Sequence, residues 1–498
     1  MALTPLIVAV LRPAPSTSRT TRRAFGLGLL TGIGYFSGTL YWLVETMTTF
    51  GGLGVPVALL AAGLLVAYLS LFPAAFAVVL ARLRMSLGVR GAVLCAAPVW
   101  VTTELGRQYL WDGFPWALLG YSQVTVLPVA QLASLTGVYG LSFLLALTSA
   151  AVALVILDST KGKLDSREGK LAAGGRTRWA VAVVVATLVA ACAVWGRWRI
   201  ADGSLATSGD PIRVAVVQGN VAQDDKWNPS LRDQIIGRYV SMTRQAVERG
   251  ATFVIWPESS FPVYFEEDLR GHVVRRLARE AGITMLVGSD QVERVRPDAT
   301  PEALDNRFYN AAFLIKPDGS TAAVYRKMHL VPFGEYVPLQ RLLFFVGPIV
   351  QAVSNFTPGG RPVLLPVGDR PVSTAICYEV VYGNLIRRFV LDGSELLTTI
   401  TNDAWYGWSS AAYQHWDQAA MRAIENGRYL ARAANTGVSG FVDPYGRVLQ
   451  KSKLFEQAVL VDDVRLTQVR TLYTRTGDLI AWLSAFATAV LLAIARKF

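Results

Sequence analysis

Three cysteines and three histidines are all that 498 residues provide, and charged residues make up only 17% of them. Three thiols cannot build a disulfide scaffold. The histidines join no cluster with metal-ligand spacing, and neither a phosphate-binding glycine loop nor a dinucleotide fingerprint occurs, so no metal and no cofactor is expected. An ordinary soluble domain carries about 25% charge. The shortfall points towards a bilayer, and a hydrophobic content of 52% excludes intrinsic disorder. What charge there is leans positive, at +12 net. In a soluble protein that excess suggests nucleic acid, whereas in a membrane protein it marks cytoplasmic loops.

The apolar residues are concentrated. A hydrocarbon core about 30 Å thick needs roughly 20 apolar residues in a helix. Residues 24–46, 56–81, 91–105, 137–156, 179–195 and 479–495 are candidate spans, the third being short and carrying Glu104. Any one alone could be a buried core helix, but six separated by basic or glycine-rich turns argue for a polytopic α-helical membrane protein. Arg19, Arg22 and Arg23 precede the first run, and Arg82, Arg84 and Arg90 follow the second. Lys161, Lys163, Arg167, Lys170, Arg176 and Arg178 lie between the fourth and fifth, and Arg496 and Lys497 follow the last. Alternate loops are thus basic, which makes them cytoplasmic and leaves residues 201–475 outside. The expected organisation is transmembrane helices in 1–200, an external domain in 201–475 and a last transmembrane helix in 476–498. Much of the +12 is then a topology signal, and no nucleic-acid partner is expected. Residues 2–11 are apolar but too short to cross, and read as a partial span or an interfacial segment.

From residue 212 the pattern becomes strand, loop and helix. Strands are predicted at 212–217, 253–256, 284–287, 309–315, 322–325, 372–376, 396–400 and 439–442, and helices at 231–249, 269–281 and 416–433. Lys316-Pro317-Asp318-Gly319 reads as a hairpin turn. Strands alternating with helices make an α/β sandwich, in which sites gather at the carboxyl ends of strands.

Three polar residues interrupt apolar strand ends. Glu258 follows Trp256-Pro257, Lys327 follows Tyr325-Arg326, and Cys377 follows Ala375-Ile376. Cys377 is the one thiol in the external block, since Cys95 and Cys192 belong to spans, and so has no disulfide partner there. It is a structural cysteine or a nucleophile, and a thiol with a free pKa near 8.5 needs a base or a nearby cation to react. Glu258 could accept its proton, and Lys327 could hold the thiolate and then an oxyanion. Singly, Glu258 could instead cap a helix after Pro257 and Lys327 could be a surface residue. Of the histidines, His329 lies two residues from Lys327 and stays open as a base or a supporting residue.

The order Glu, Lys, Cys in these segments resembles the carbon–nitrogen hydrolase (nitrilase) superfamily. The strings Val217-Gln218-Gly219-Asn220 with Lys226-Trp227, Trp256-Pro257-Glu258, Val331-Pro332-Phe333-Gly334-Glu335, Ile376-Cys377-Tyr378-Glu379 and Asn402-Asp403-Ala404-Trp405-Tyr406-Gly407 narrow the likeness to the apolipoprotein N-acyltransferase family, as do Gly113-Phe114-Pro115-Trp116 and Gly120-Tyr121-Ser122-Gln123 in the apolar part. That family has about eight spans, seven before the external domain, where five runs and the short segment 2–11 occur here.

The resemblance implies a nitrilase-like αββα sandwich outside the bacterial cytoplasmic (inner) membrane, and two acyl transfers. Cys377 would attack an ester carbonyl of a phospholipid, typically phosphatidylethanolamine, giving a thioester. The α-amine of the diacylglyceryl-cysteine of a prolipoprotein would then take the acyl group. Glu258 is implied as general base, Lys327 as stabiliser of the intermediates, and Glu335 as a carboxylate orienting Lys327 or the amine. Tyr378 and Glu379 flank the nucleophile, and Trp227, Trp405 and Tyr406 match positions near substrate. The competing expectation is a membrane-tethered amidase or hydrolase with the same triad. Leu342-Leu343-Phe344-Phe345-Val346 is expected either to dip into the outer leaflet or to pack on the domain core.

Overall fold

The computed structural model describes residues 2–12, 17–111, 113–165, 175–294, 306–336 and 356–495. The run at 342–346 and the basic pair at 496–497 lie outside the described residues. The chain divides into two compact units, one of Met1–Tyr41, Leu59–Asp202 and Thr476–Phe498, the other of Trp42–Ala58 and Gly203–Arg475.

Among the described residues, Val55–Leu94, Ala133–Leu157 and Trp179–Thr207 are long and apolar enough to cross a membrane. The run at 24–46 is broken into two helices, Thr17–Thr39 and Trp42–Thr49, which together are long and apolar enough for one broken span. The run at 91–105 also differs, because Val55–Leu94 continues through the break at Gly88 and a separate 14-residue helix, Ala96–Tyr109, follows. Glu104 on that helix is enclosed by protein: its Oε1 accepts from Trp100 Nε1 at 3.1 Å and from the Leu119 N–H at 2.8 Å. Residues 2–11 form the helix Thr4–Leu11, whose Leu6, Ile7 and Leu11 are buried in one cluster with Phe76, Ala77 and Leu154. It is an interior helix of this unit, because its apolar residues face other helices.

The second unit contains the strands β1 (Asp210–Gln218), β2 (Phe253–Ile255), β3 (Thr284–Glu293), β4 (Arg307–Ile315), β5 (Thr321–Arg326), β6 (Leu365–Val367), β7 (Arg370–Ile376), β8 (Leu397–Thr401), β9 (Leu430–Ala434), β10 (Gly440–Val442), β11 (Val448–Lys451) and β12 (Ala458–Leu466). They form two six-stranded sheets, ordered β12-β1-β2-β3-β4-β5 and β11-β10-β9-β8-β7-β6. Helices α1 (Arg232–Glu248) and α2 (Gly271–Ala281) bury Ile235, Tyr239 and Val274 against alternate residues of the first sheet. Helices α3 (Gly383–Leu391) and α4 (Ser410–Asn426) cover the second. The layers are therefore αββα, as the resemblance implied.

Polar side chains stitch the inner faces of the two sheets. Asn435 gives its amide N–H to the Val221 carbonyl at 2.8 Å and accepts from the Val221 N–H at 3.0 Å, and Ser439 Oγ donates to Gln218 Oε1 at 2.6 Å. β1, β2 and β3 run parallel, as do β7, β8 and β9. Their carboxyl ends carry the functional residues, the usual position in such sheets.

One predicted element is corrected. The helix expected over 416–433 ends at Asn426, where Gly427 adopts φ 60°, and residues 430–434 form β9. Leu430-Ala431-Arg432-Ala433-Ala434 has good helix propensity, but pairing with β8 and β10 outweighs it.

Candidate active site

Glu258 lies just beyond the end of β2, in a chain that buries Phe253, Val254, Ile255 and Trp256 completely. Such a strand leaves the first polar side chain after it fixed at the sheet edge. Glu258 is 5% exposed; its Oε1 accepts from Asn310 Nδ2 at 2.7 Å and lies 3.4 Å from Lys327 Nζ, while Oε2 accepts from the Asn402 N–H at 2.8 Å. Gly288 on the adjacent β3 is needed for this fit, because a Cβ there would stand 2.2 Å from the Pro257 carbonyl oxygen and 2.8 Å from Glu258 Cα.

Lys327 is the residue after β5, and its backbone N–H donates to the Asn310 carbonyl at 2.9 Å. Its ammonium sits between two carboxylates, 2.8 Å from Glu335 Oε1 and 3.4 Å from Glu258 Oε1, with 1% of the side chain exposed. Burial works against its charge, but Glu335, Glu258 and Cys377 outweigh burial and raise its pKa. Lys327 is thus held as a cation. Glu335 is fixed in turn, since its Oε2 accepts from the Val331 N–H at 2.7 Å and its Oε1 also accepts from Asn310 Nδ2 at 3.0 Å. Two carboxylates accepting from one Asn310 nitrogen set the orientation of that amide.

Cys377 follows β7 and opens the short turn Cys377–Val381 with φ 53°. A residue with a Cβ adopts that left-handed conformation only where its surroundings impose it. The thiol is buried; burial and then the charge of Glu258 push its pKa up, opposed by Lys327 and by a bond to Thr401. At rest the sulfur keeps its proton. Glu258, Lys327, Glu335 and Cys377 therefore come together from the ends of β2, β5 and β7 and the segment after β5.

Glu379, expected to flank Cys377, turns into the domain interior. Fully buried, it accepts from Tyr325 Oη at 2.8 Å, the Met328 N–H at 2.6 Å and the His329 N–H at 3.1 Å through Oε1, and from the Ile376 N–H at 2.8 Å through Oε2. It clamps the Cys377 turn to the segment bearing Lys327. Burial pushes its carboxyl up to about 7, against the pull of those N–H groups. Tyr378 is 5% exposed and meets Tyr382 edge-on at 5.3 Å. Tyr406 packs edge-on against Trp42 at 5.0 Å, Trp405 against Phe50 at 5.6 Å, and Trp227 is 45% exposed.

The ring of His329 stacks on Tyr382 at 4.2 Å. Both Lys327 and His329 lie beyond the end of β5 at Arg326. The histidine that reaches Cys377 is His415, whose Nε2 donates to the Cys377 carbonyl oxygen at 3.1 Å. The strand-end pattern marks neither Asn310 nor the place of Lys226 beside Glu258. Asn310 could have been noticed as a lone amide inside the apolar β4. Lys226 is 1% exposed, with Nζ 3.4 Å from the Glu258 carbonyl oxygen, and burial lowers its pKa to about 8 against the charges of Glu258 and Asp290. No group of three or more His, Cys, Asp or Glu able to hold a metal occurs among the described residues.

Comparison with known proteins follows the same division. The family described as carbon–nitrogen hydrolase matches residues 213–474, and that described as the apolipoprotein N-acyltransferase N-terminal domain matches residues 1–151. A protein of Geobacter metallireducens named apolipoprotein N-acyltransferase is 38% identical over all of this chain and 90% of its own. Proteins with the same name are 36% identical in Methylococcus capsulatus, over 91% of this chain and 83% of theirs, and 34% identical in Pseudomonas putida, over 95% and 87%. Among solved structures, an amidase from Nesterenkonia is 22% identical over 54% of this chain and 97% of its own, with a TM-score of 0.39. With relatives of that identity matching from end to end, this chain belongs to the apolipoprotein N-acyltransferase family.

Proposed function

We propose that this N-acyltransferase works through Cys377, Glu258, Lys327 and Glu335, passing an acyl group from a phospholipid to the α-amine of a diacylglyceryl-cysteine. The observation that carries the reading is the buried Lys327 ammonium, set between Glu335 at 2.8 Å and Glu258 at 3.4 Å and acting on a thiol that is protonated at rest. Glu258 takes the thiol proton as Cys377 Sγ attacks the ester carbonyl. The tetrahedral oxyanion then forms under the charge of Lys327, where a pre-set cation in a dry site is worth most. Collapse breaks the C–O bond, Glu258 returns the proton to the leaving lysophospholipid oxygen, and a thioester remains. The free amine attacks that thioester, gives its proton to Glu258, and the C–S bond breaks to leave an amide and the thiol.

Lys327 serves both halves without changing protonation, because its carboxylate neighbours keep it charged. Both substrates carry long acyl chains, which fits the apolar helices Val55–Leu94, Ala133–Leu157 and Trp179–Thr207 as bilayer spans. In this reading residues 1–200 and 476–498 are the membrane part and 201–475 the catalytic domain. The basic residues at alternate ends of the apolar runs support a cytoplasmic membrane with that domain on its outer side. Phosphatidylethanolamine is the proposed donor, a diacylated prolipoprotein the acceptor.

The test is N-acylation of a synthetic diacylglyceryl-cysteine peptide by the full-length enzyme in phosphatidylethanolamine vesicles, read by mass spectrometry. Wild type and Cys95→Ser should give the triacylated product and Cys377→Ser none. Product from Cys377→Ser, or release of free fatty acid in place of the amide, would overturn the reading.

A further inference from the structure

Behind the nucleophile lies a buried charged network whose use the acyl-transfer scheme leaves open. Asp403 Oδ2 lies 2.8 Å from Arg432 Nη2, and Asp403 Oδ1 accepts from Thr401 Oγ1 at 2.8 Å. His415 Nδ1 is 3.0 Å from both Asp403 Oδ1 and Arg432 Nη2, and its Nε2 is 3.1 Å from the Cys377 carbonyl oxygen. Asp403, His415 and Arg432 are all at most 1% exposed. A cysteine, a histidine and an aspartate in contact invite the reading of a protease-like relay. The atoms disagree with it.

A carbonyl oxygen only accepts, so the hydrogen on His415 sits on Nε2 and points at the main chain of Cys377. Burial and then the neighbouring Arg432 cation lower the imidazole's pKa, opposed by Asp403. Nδ1 lies 3.0 Å from both Arg432 Nη2 and Asp403 Oδ1, so the two side chains together fix the ring. Asp403 also holds Arg432 through Oδ2. The bond ends on the one residue of the site whose backbone is left-handed, Cys377 at φ 53°.

Resting on the assignment of Cys377 as nucleophile, we infer that His415 is a positioning residue: with Arg432 and Asp403 behind it, it holds the Cys377 carbonyl and so aims the sulfur. It moves no proton in the reaction. Its target is the backbone turn, and what it governs is the rate of thioester formation rather than lipid affinity.

Amide side chains separate the two ring nitrogens. The amide of glutamine reaches the place of Nε2 and can still donate to the Cys377 carbonyl, whereas that of asparagine reaches only the place of Nδ1. In the full-length enzyme, His415→Gln should acylate Cys377 within about threefold of wild type. His415→Asn should fall by about 10- to 100-fold in kcat with an unchanged KM for phospholipid, the cost of a misplaced reacting atom. Asp403→Asn should stay within about tenfold, since its oxygen can still accept from Arg432. A proton relay would instead lose about 10⁴-fold on that change. Equal rates for the glutamine and asparagine variants, a loss confined to KM, or a 10⁴-fold fall in Asp403→Asn would each overturn the inference. If His415→Asn does not fold, the pair His415→Gln and Asp403→Asn still decides it. Cys377→Ser run alongside separates the failures, because product from that variant removes the nucleophile assignment itself.

Discussion

Replacing Glu335 by glutamine isolates the charge that holds Lys327. At 2.8 Å and an effective dielectric near 20, the pair attraction is about 6 kcal/mol, part of which offsets the desolvation of both groups. The side chains are 1% and 12% exposed, so solvent screening removes little of it. Glutamine keeps one oxygen, yet two places need an acceptor: Lys327 with Asn310 on one side, and the Val331 N–H on the other. Whichever way the amide turns, a donor faces a donor, and an orphaned buried group costs about 1–3 kcal/mol. Loss of the charge and of one acceptor together should remove about 3–4 kcal/mol from the stabilised oxyanion, or about 10²–10³ in rate. The assay is single-turnover acylation of Cys377 followed by mass spectrometry, with the melting temperature measured in parallel. Glu335→Gln should show the fall in the acylation rate while still binding lipid. Acylation within about threefold of wild type would refute the reasoning, because Lys327 would then need no second carboxylate.

Two further changes probe the surroundings of Glu258. The pKa of Lys226 falls from 10.5 to about 8 in the folded protein, chiefly through burial, so between pH 8 and 10.5 the unfolded chain binds the extra proton and stability rises with pH, by roughly 3 kcal/mol. Lys226→Met should lose that rise, and thermal melts of both proteins across the window that keep the same slope would contradict it. Gly288→Ala places a methyl 2.2 Å from the Pro257 oxygen, which is backbone and must move, carrying Glu258 with it. Its acylation rate should fall at least about tenfold although the residue touches no substrate, and an unchanged rate would show that the Glu258 position is not limiting.

The cluster of Glu258, Lys327 and Cys377 was legible because polar residues at the ends of apolar strands have few structural uses. Glu258 after Trp256, Lys327 after Arg326 and Cys377 after Ile376 could be picked out with no knowledge of which strands are neighbours. What holds them was hidden for the opposite reason. His415 acts on a backbone carbonyl 38 residues away, and Asn310 on two carboxylates 52 and 25 residues away. Such partners are set by strand order, which the linear pattern does not carry. Glu379 illustrates an intermediate case: its place beside the cysteine drew notice, but its four donors come from Tyr325, Met328, His329 and Ile376, so its work is to bind two segments together. The misread helix at 430–434 has the same origin, local propensity losing to a place in the middle of a sheet.

The proposed chemistry turns on an acyl group carried by Cys377. Purified enzyme mixed with phospholipid, with no acceptor present, should gain the mass of one acyl chain on the peptide containing Cys377. Adding a diacylated lipopeptide should discharge it promptly to the amide, while water alone discharges it slowly. No adduct on that cysteine, or loss to water as fast as to the amine, would contradict the account.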